Sequence, residues 1–279
     1  MNYFFVHLGE YPSWLQDSIN SVKLSDPESS IFLCGNSKQT IENASTISID
    51  NIASEITKNA IQSPLWKHDG NPLWKTSLYR IFIIFDMMNY LHLDEFVHFD
   101  SDVILFEKFE NAKKSIETSR NGLHITPCND NELVFGYSYC NSKDHLNEIC
   151  SLVLKAMNDY QFLSSLVKDH PNEMQILSGI QKISPHLIID LPTIPNKNYE
   201  YVFDPSSYGQ YLYGTHNGYL PGWYGDHHRI GKLIGEKRLN ITQYPSVKFE
   251  NSESKIVNLH IHSKNTKQVL NNDRHRYKL

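Results

Sequence analysis

Two carboxylates one residue apart, Asp100 and Asp102, are the residues of this sequence with the clearest capacity for chemistry. They follow an apolar run containing Phe96, Val97 and Phe99, which predicts a buried strand. In open α/β sheets ligands gather at the carboxyl ends of strands, so both side chains are expected at a ligand site. Carboxylate oxygens at this spacing suit one hard divalent cation. The pair therefore predicts a cation site at a strand end.

A second group of polar side chains lies in residues 255–264. Alternation of apolar and polar residues predicts one strand with a buried face and a chemical face. The buried face carries Val257, Leu259 and Ile261, and the other carries Asn258, His260 and His262. The pattern alone leaves open whether either histidine binds a ligand, and Lys264 follows them as a possible partner for phosphate.

A long helix is predicted just before the acidic pair. Its apolar stripe has helical spacing and consists of Trp74, Leu78, Ile81, Phe85 and Met88. Arg80 lies on another face of this helix and is a candidate to look toward the acidic pair. The alternative, a solvated helix charge, is equally compatible with the spacing.

Glu173 is the candidate catalytic carboxylate. Pro171 fits the first turn of a helix, which places Glu173 at the exposed, positively polarised N-terminal end. Two interpretations stay open: a carboxylate that stabilises the helix end, and an active-site carboxylate.

Residues 203–232 interleave aromatic, glycine and polar residues without a helical period, which predicts a loop. Aromatic faces suit the C–H faces of sugars, and neighbouring polar groups can bond hydroxyls. Such a loop could order over a bound donor as a lid. A tightly packed loop without binding function is the alternative.

The elements that must position these residues form an α/β pattern. Strands are predicted at residues 3–8, 30–33 and 46–49, with a helix after a Ser13–Gln16 capping box. Further strands are expected at 123–126, 133–139 and 188–191, and a polar helix at 107–122. The rhythm favours a Rossmann-like, mostly parallel sheet flanked by helices, with an elaborated C-terminal part. No G-x-G-x-x-G occurs after the first strand, which disfavours an ordinary dinucleotide site.

The Asp100-Ser101-Asp102 motif, preceded by the helix with Arg80, resembles the D-x-D motif of GT-A fold nucleotide-sugar glycosyltransferases. The resemblance implies a divalent cation, Mn²⁺ or Mg²⁺, held by the acidic pair and by a C-terminal histidine. His260 and His262 both match, and His262 is preferred because it lies nearer the carboxyl end of its strand. The donor-binding residues it implies are His7, Leu8, Arg80, Asp100, Ser101, Asp102 and Lys264.

The same resemblance implies a role for the remaining candidates. Glu173 becomes the catalytic residue, near the acceptor or the anomeric carbon. The implied acceptor-binding residues are Tyr139, Trp223, Tyr224, Asp226 and His227. The expected activity is transfer of a hexosyl or pentosyl group from a nucleotide diphosphate sugar, with a UDP-sugar as the preferred donor, to a glycan or other hydroxyl acceptor. One domain is expected over residues 1–279, with a nucleotide-sugar half at 1–106, an acceptor half at 107–265 and a tail at 266–279.

Composition narrows the classes of function. The 279 residues carry a formal charge of −5, which disfavours nucleic acid as a partner. Two alternatives remain: a metal-dependent phosphodiesterase or nuclease that uses the same acidic pair, and a carbohydrate-binding protein without turnover. The charge also disfavours the nuclease.

The cysteines and the N-terminal residues bear on cellular location. The four cysteines are Cys34, Cys128, Cys140 and Cys150, and none forms a C-x-x-C pair. Their scatter predicts reduced, buried thiols. No signal peptide or membrane-spanning run is predicted, so a cytoplasmic protein is expected.

Overall fold

The fold was analysed in a computed structural model, which describes residues 1–67, 72–116, 119–167, 171–243 and 246–272. The strands are β1 (Asn2–His7), β2 (Ser30–Gly35), β3 (Ser45–Ser48), β4 (Phe96–Phe99), β5 (Val103–Leu105), β6 (Leu123–Asn129), β7 (Glu132–Cys140), β8 (Ile188–Asp190), β9 (Tyr201–Val202), β10 (Leu239–Gln243), β11 (Ser246–Phe249), β12 (Ser252–Ile256) and β13 (Asn258–His260). The helices are α1 (Ser13–Ser25), α2 (Ile49–Ile52), α3 (Glu55–Ile61), α4 (Pro72–Leu91), α5 (Phe109–Ala112), α6 (Lys143–Asn158), α7 (Tyr160–Leu166), α8 (Glu173–Ile183), α9 (Tyr208–Tyr213), α10 (Arg229–Gly235) and α11 (Thr266–Asn272).

The main sheet confirms the expected fold class. Within the described ranges it contains seven strands in the order β3-β2-β1-β4-β7-β6-β8. Pairing is parallel from β3 through β4 and between β6 and β8, and antiparallel where β7 meets β4 and β6. The sheet is therefore mixed but mostly parallel, and it places the end of β4 near its centre.

Helices cover both faces of this sheet because its central strands are apolar on both sides. On one face Phe4 and Phe96 pack with α4, α6 and α8. On the other face Phe5 and Phe99 pack with α1 and α5. Burial on two sides fixes the register of β1 and β4, and hence the position at which β4 releases the chain into Asp100.

A smaller region is built from the C-terminal part of the chain. The sheet β10-β11-β12-β9 and the pair β13-β5 enclose a third apolar core with α9 and α10. Antiparallel pairing places His260 opposite Val103, next to the end of the acidic motif. This pairing carries a histidine distant in sequence to the acidic pair.

Several elements differ from expectation. Residues 255–264 form two strands rather than one, because β12 pairs with β9 and β11 whereas β13 pairs with β5. The crossing residue is Val257, whose N–H donates to Val202 and whose carbonyl accepts from Phe106. Residues 203–232, predicted as a loop, contain α9 and the first part of α10.

Two helix predictions also need correction. Among the described residues of the expected 107–122 helix, only α5 and a short 3-10 turn at Lys113–Ser115 are helical. Ser13 is the first residue of α1 and does not cap it, because Pro12 takes the N-cap position and Gln16 bonds Asn20 and the Glu42 backbone instead.

Two further expectations concern the termini and membranes. The predicted tail at 266–279 begins with α11, and its residues 273–279 lie outside the described residues. No helix in the described part of the chain has the length and apolar character needed to cross a membrane.

Candidate active site

Three ligand-type side chains meet where β4, β5 and β13 converge. Asp100 follows β4, Asp102 precedes β5, and His260 ends β13. The N–H of Ile261 donates to the carbonyl of Asp102 over 2.8 Å, which fixes the two segments side by side. The Nε2 atom of His260 lies 3.1 Å from Asp102 Oδ1 and 3.8 Å from Asp100 Oδ2.

The spacing of this cluster fits one divalent cation. One ligand atom from each of Asp100, Asp102 and His260 lies within 4.8 Å of the other two. An octahedral ion with bonds of about 2.1 Å separates its ligand atoms by about 3 to 4.2 Å, which matches the His260 distances. Two carboxylate oxygens and one imidazole nitrogen form a donor set that suits a divalent cation.

Lys264 contributes positive charge to the same cluster. Its Nζ contacts Asp102 Oδ2, and its backbone takes a left-handed φ of 61°. Burial alone would raise the pKa of Asp102, but the neighbouring His260 and Lys264 outweigh burial and hold it below its usual value. Asp102 is therefore a carboxylate at neutral pH, ready to bind a cation.

Arg80 connects Asp100 with Glu173. Its guanidinium pairs with Asp100 Oδ1 and lies 3.0 Å from Glu173 Oε1. The Arg80 side chain is only 12% exposed and its guanidinium carbon lies 5.2 Å from the centre of the Phe135 ring. The interpretation of Arg80 as a solvated helix charge is therefore wrong, and Arg80 belongs to the cluster.

Glu173 begins α8, as expected, but it is buried rather than exposed. Asn172 is the N-cap, and its side chain accepts from the N–H of Gln175 over 3.0 Å, so capping does not require Glu173. Burial raises the pKa of Glu173, while Arg80 and the Ser77 hydroxyl act in the opposite direction. Arg80 links the Glu173 carboxylate to the cluster.

His262 is placed differently from His260. Its ring centre lies 4.5 Å from that of His260, and its Nε2 contacts the hydroxyl of Ser206. Burial, followed by the nearby His260, lowers the pKa of His262 to about 2, so this ring is neutral. The placement favours His260 over the preferred His262 as the ligand next to the carboxylates.

Sequence reasoning missed Asp204, which supports His260 from behind. Its buried carboxylate accepts the N–H groups of Ser207 and Tyr208 at 2.7 and 2.8 Å through Oδ1. Through Oδ2 it accepts those of Gly209 and His260 at 2.9 and 3.0 Å. An aspartate shortly before a helix is a usual N-terminal signal, and Asp204-Pro205-Ser206-Ser207 could have been interpreted in that way.

Glycine is required on both sides of His260. A β-carbon on Gly209 would lie 2.1 Å from the His260 carbonyl oxygen, and one on Gly136 would lie 2.8 Å from His260 Nδ1. Neither distance is possible without displacement of His260. The packing around this imidazole therefore depends on two residues without side chains.

The expected donor-binding residues at the end of β1 lie beside the acidic cluster. His7 hydrogen-bonds the Glu10 carbonyl over 3.0 Å, and burial lowers its pKa while the nearby Asp102 charge raises it. Leu8 and Ser101 are both partly exposed. A cavity of about 510 Å³ opens beyond β1 and β2, lined by Tyr11, Pro12, Ser13, Gln16, Lys38, Gln39, Thr40 and Ile41.

The expected acceptor-binding residues are more dispersed. Tyr139 is fully buried and donates to Glu95, which precedes β4, so it lies at the opposite end of that strand from Asp100. Trp223 stacks on Tyr219 with 4.2 Å between ring centres. Tyr224 packs against Gly235, and Asp226 and His227 are exposed. The structure does not bring Tyr139 to the cluster.

Comparisons with known proteins gave matches among solved structures alone. No protein-family model matches the sequence, and no curated protein matches it. The galactosyltransferase LgtC in complex with donor and acceptor sugar analogues is similar at 14% identity over 69% of this chain and 73% of that one, with a TM-score of 0.46. The glycosyltransferase GlyE of Streptococcus pneumoniae TIGR4 is similar at 13% identity, over 68% of this chain and 44% of its own, with a TM-score of 0.42. Mouse xyloside xylosyltransferase 1 in its apo form is similar at 10% identity, over 69% and 86% of the two chains, with a TM-score of 0.42.

All three similar proteins are glycosyltransferases by name, the class that the sequence motifs also resemble. This chain spans less than half of the GlyE chain. At these identities and TM-scores the similarity by itself assigns no function, and the functional interpretation depends on the residues of the cluster.

Proposed function

We propose that this protein is a metal-dependent glycosyltransferase that transfers a sugar from a nucleotide diphosphate donor, a UDP-sugar, to a glycan hydroxyl. The observation that carries the proposal is the convergence of Asp100, Asp102 and His260 at the carboxyl end of a central strand, with Arg80 and Lys264 beside them. This arrangement joins a cation site to two fixed positive charges, which is what a leaving diphosphate requires.

The residues of the cluster divide the work of binding the donor. Asp100, Asp102 and His260 would hold Mn²⁺, or Mg²⁺ as the alternative, and the bound cation would neutralise charge that develops on the departing diphosphate. Lys264 and Arg80 would donate charge-assisted hydrogen bonds to donor oxygens. His262, neutral and bonded to Ser206, would contact the nucleotide rather than the cation.

The cavity beyond β1 and β2 is the natural place for the base of the donor. It opens at the carboxyl ends of two parallel strands and offers amide groups from Gln16 and Gln39 and the ammonium of Lys38. His7 ends β1 and Leu8 follows it, shortly before the cavity residues that begin at Tyr11, and Ser101 lies between the two aspartates of the acidic motif. These three residues would line the ribose and the diphosphate.

Glu173 would act at the sugar end of the donor. Its salt bridge orients Arg80. Its buried carboxylate lies near the cluster but is not one of the three groups that could hold the cation. The acceptor would approach along the segment that carries Trp223, Tyr224, Asp226 and His227. Hexosyl and pentosyl transfer are both compatible with this arrangement.

Calorimetry with UDP tests the proposal. We expect wild-type protein to bind UDP with Mn²⁺ and to lose about tenfold or more in affinity with EDTA or in Asp102→Asn. Asp94→Asn is the matched control, because Asp94 is exposed and precedes β4 at its other end. Equal UDP affinity with Mn²⁺ and with EDTA would contradict the metal-bridged site.

A turnover assay separates transfer from the alternative activities. At least one of UDP-glucose, UDP-galactose and UDP-xylose should release UDP in a Mn²⁺-dependent reaction, with transfer of its sugar to an added saccharide hydroxyl or, more slowly, to water. Hydrolysis of a phosphodiester such as bis(p-nitrophenyl) phosphate, without release of UDP from any sugar nucleotide, would instead identify a phosphodiesterase.

A further inference from the structure

A second cavity lies in the C-terminal region, and the cluster residues do not line it. This groove has a volume of about 310 Å³ and is bordered by Tyr211 of α9, Tyr224, and Gly235 at the end of α10. Lys237 and Asn240 add polar groups to its edge. Its size is that of a small-ligand pocket.

The groove is connected to the active site through two short helices. The hydroxyl of Ser207, just before α9, hydrogen-bonds His228 Nδ1, just before α10, over 3.0 Å. Ser207 also donates its N–H to Asp204, the carboxylate that supports His260. Both helices therefore begin beside the cation site, and the groove lies toward their other ends. The seven residues of α10 span about 10 Å, so a saccharide that reaches from Gly235 to the start of this helix must contain more than one sugar ring.

The lining of the groove has the chemistry of a saccharide site. Tyr224 is 41% exposed, so its ring offers a face to the C–H surface of a sugar. Among the described residues no hydrogen-bond partner occupies the Lys237 ammonium or the Asn240 amide, and both are exposed at the edge. Ile234 and Leu239 complete an apolar floor. An aromatic wall, an apolar floor and free polar groups at the rim together fit a pyranose ring.

Backbone packing holds the Tyr224 ring in place. A β-carbon on Gly235 would lie 2.7 Å from Tyr224 Cε2 and 2.9 Å from Cζ, so the hydroxyl end of this ring packs directly against the helix backbone. The N–H of Gly222 donates to the Tyr211 carbonyl over 2.7 Å and fixes the opposite wall. The groove is thus formed before a ligand arrives.

We propose that the Tyr211–Tyr224 groove binds the distal unit of an extended saccharide acceptor while the acceptor's reacting hydroxyl lies at the cation site. The acceptor identity rests on the proposed transferase function. The binding site itself does not, because its ligand is recognised by groove residues outside the cation cluster.

Titration by saturation-transfer NMR with defined oligosaccharides tests the groove directly. The probes are maltopentaose, chitopentaose and β-1,4-galactopentaose, each with its trisaccharide and monosaccharide, without nucleotide or metal. We expect at least one pentasaccharide to bind wild-type protein more tightly than its monosaccharide. Tyr224→Ala should weaken that binding about fivefold or more, the effect of losing one aromatic contact.

Gly235→Ala provides a second variant that keeps every polar group. Alanine favours a helix over glycine, so α10 should persist while the added methyl displaces the Tyr224 ring. It should weaken pentasaccharide binding as Tyr224→Ala does. Tyr160→Ala is the matched control, since Tyr160 is 80% exposed on α7, and it should bind as wild type does.

The possible outcomes separate this inference from the proposed function. Three results would each contradict saccharide binding in the groove. They are absence of binding by every pentasaccharide, wild-type affinity in both groove variants, and an equal loss of affinity in Tyr160→Ala. Saccharide binding that depends on Tyr224, together with failure of Mn²⁺-dependent UDP binding, would support the groove and contradict the transferase.

Discussion

At the residue scale, His260 and His262 show how two positions separated by one residue acquire different chemistry. Both belong to the expected polar face, yet β13 ends at His260, and the chain turns so that the N–H of His262 bonds the His260 carbonyl over 3.2 Å. His260 therefore directs Nε2 at Asp102, whereas His262 bonds Ser206. Alternation along a strand could not distinguish them, because the strand stops between them.

The two histidines should differ in their effect on metal affinity. We expect His260→Ala to weaken Mn²⁺ binding by about tenfold or more, the usual cost of losing a ligand, and His262→Ala to weaken it by about threefold at most. Electron paramagnetic resonance of free Mn²⁺ in titrations without nucleotide measures both constants. A large loss in His262→Ala with wild-type affinity in His260→Ala would restore the original preference for His262.

At the element scale, Asp204 joins the start of α9 to the strand that carries His260. The four N–H groups it accepts come from two segments more than fifty residues apart, so its carboxylate acts as a structural cross-link. Burial raises its pKa, although the bonds it accepts lower it, and this opposition is the usual result when a carboxylate is enclosed by donors.

Asp204→Asn should reduce metal affinity through His260 without removing a ligand. An amide cannot accept with its nitrogen, so one or more of these N–H groups loses its partner at a cost of about 1 to 3 kcal/mol in unfolding free energy. We expect Mn²⁺ affinity to fall about fivefold as His260 shifts, since supporting groups tune ligand affinity. Urea unfolding and Mn²⁺ titration measure the two effects.

Asp86→Ala is the control for Asp204→Asn. Asp86 is also a buried carboxylate that binds a helix start, accepting from the Ser54 N–H at 3.0 Å and the Thr57 hydroxyl at 2.6 Å. Both bonds reach Oδ2, so the oxygen of an asparagine could keep them, and alanine is chosen because it removes the acceptor. We expect Asp86→Ala to leave two buried donors unpaired and to lower stability by a similar amount while Mn²⁺ affinity stays at the wild-type value. Equal losses of Mn²⁺ affinity in both variants would mean that general destabilisation, not the position of His260, explains the effect.

The elements that sequence predicted well are those specified by local pattern. β4 and α4 have uninterrupted apolar periodicity, so the position of Asp100 at a strand end and the presence of Arg80 on the preceding helix followed from spacing. The predicted helix start at Glu173 was also correct. The predicted exposure of Glu173 was wrong, because its burial depends on Arg80 and on packing from segments distant in sequence.

The elements that sequence missed depend on long-range pairing. The break between β12 and β13 arises because each strand finds a different partner, β9 or β5, and neither partner is visible in local alternation. α9 was missed because glycine and tyrosine obscure its period, and its stability comes from Asp204 and from the third core. Tertiary contacts outweigh weak local propensity in both cases.

At the scale of the whole molecule, three apolar cores divide the structure, and the cluster of Asp100, Asp102 and His260 lies near all three. Phe96 belongs to the first core, Phe99 to the second and Ile104 to the third. Residues 96–104, which contain the acidic motif, therefore contribute to all three cores within nine residues. Each core fixes one side of the cluster. Disruption of any one core should therefore displace residues of the proposed cation site.

The cysteines report on the integrity of these cores. Cys34, Cys128, Cys140 and Cys150 are all free and buried, which confirms the expectation of buried thiols. Burial raises the pKa of Cys34, Cys128 and Cys140 to about 12, and it raises that of Cys150 well above its usual value. At pH 8 the folded protein should contain almost no thiolate, the form that attacks disulfides.

Native protein at pH 8 should therefore react very slowly with 5,5′-dithiobis(2-nitrobenzoic acid), and all four thiols should react promptly in guanidinium chloride. Cys34 and Cys140 lie on β2 and β7 of the main sheet, so their exposure requires that this sheet open, whereas the C-terminal region contains no cysteine. Partial unfolding limited to that region should leave the thiols of β2 and β7 protected. The control is the double variant Cys34→Ala, Cys140→Ala, which should react with two equivalents of reagent, and only after denaturation. Rapid reaction of the native wild-type protein would contradict the prediction, because it would show that the sheet does not bury its thiols.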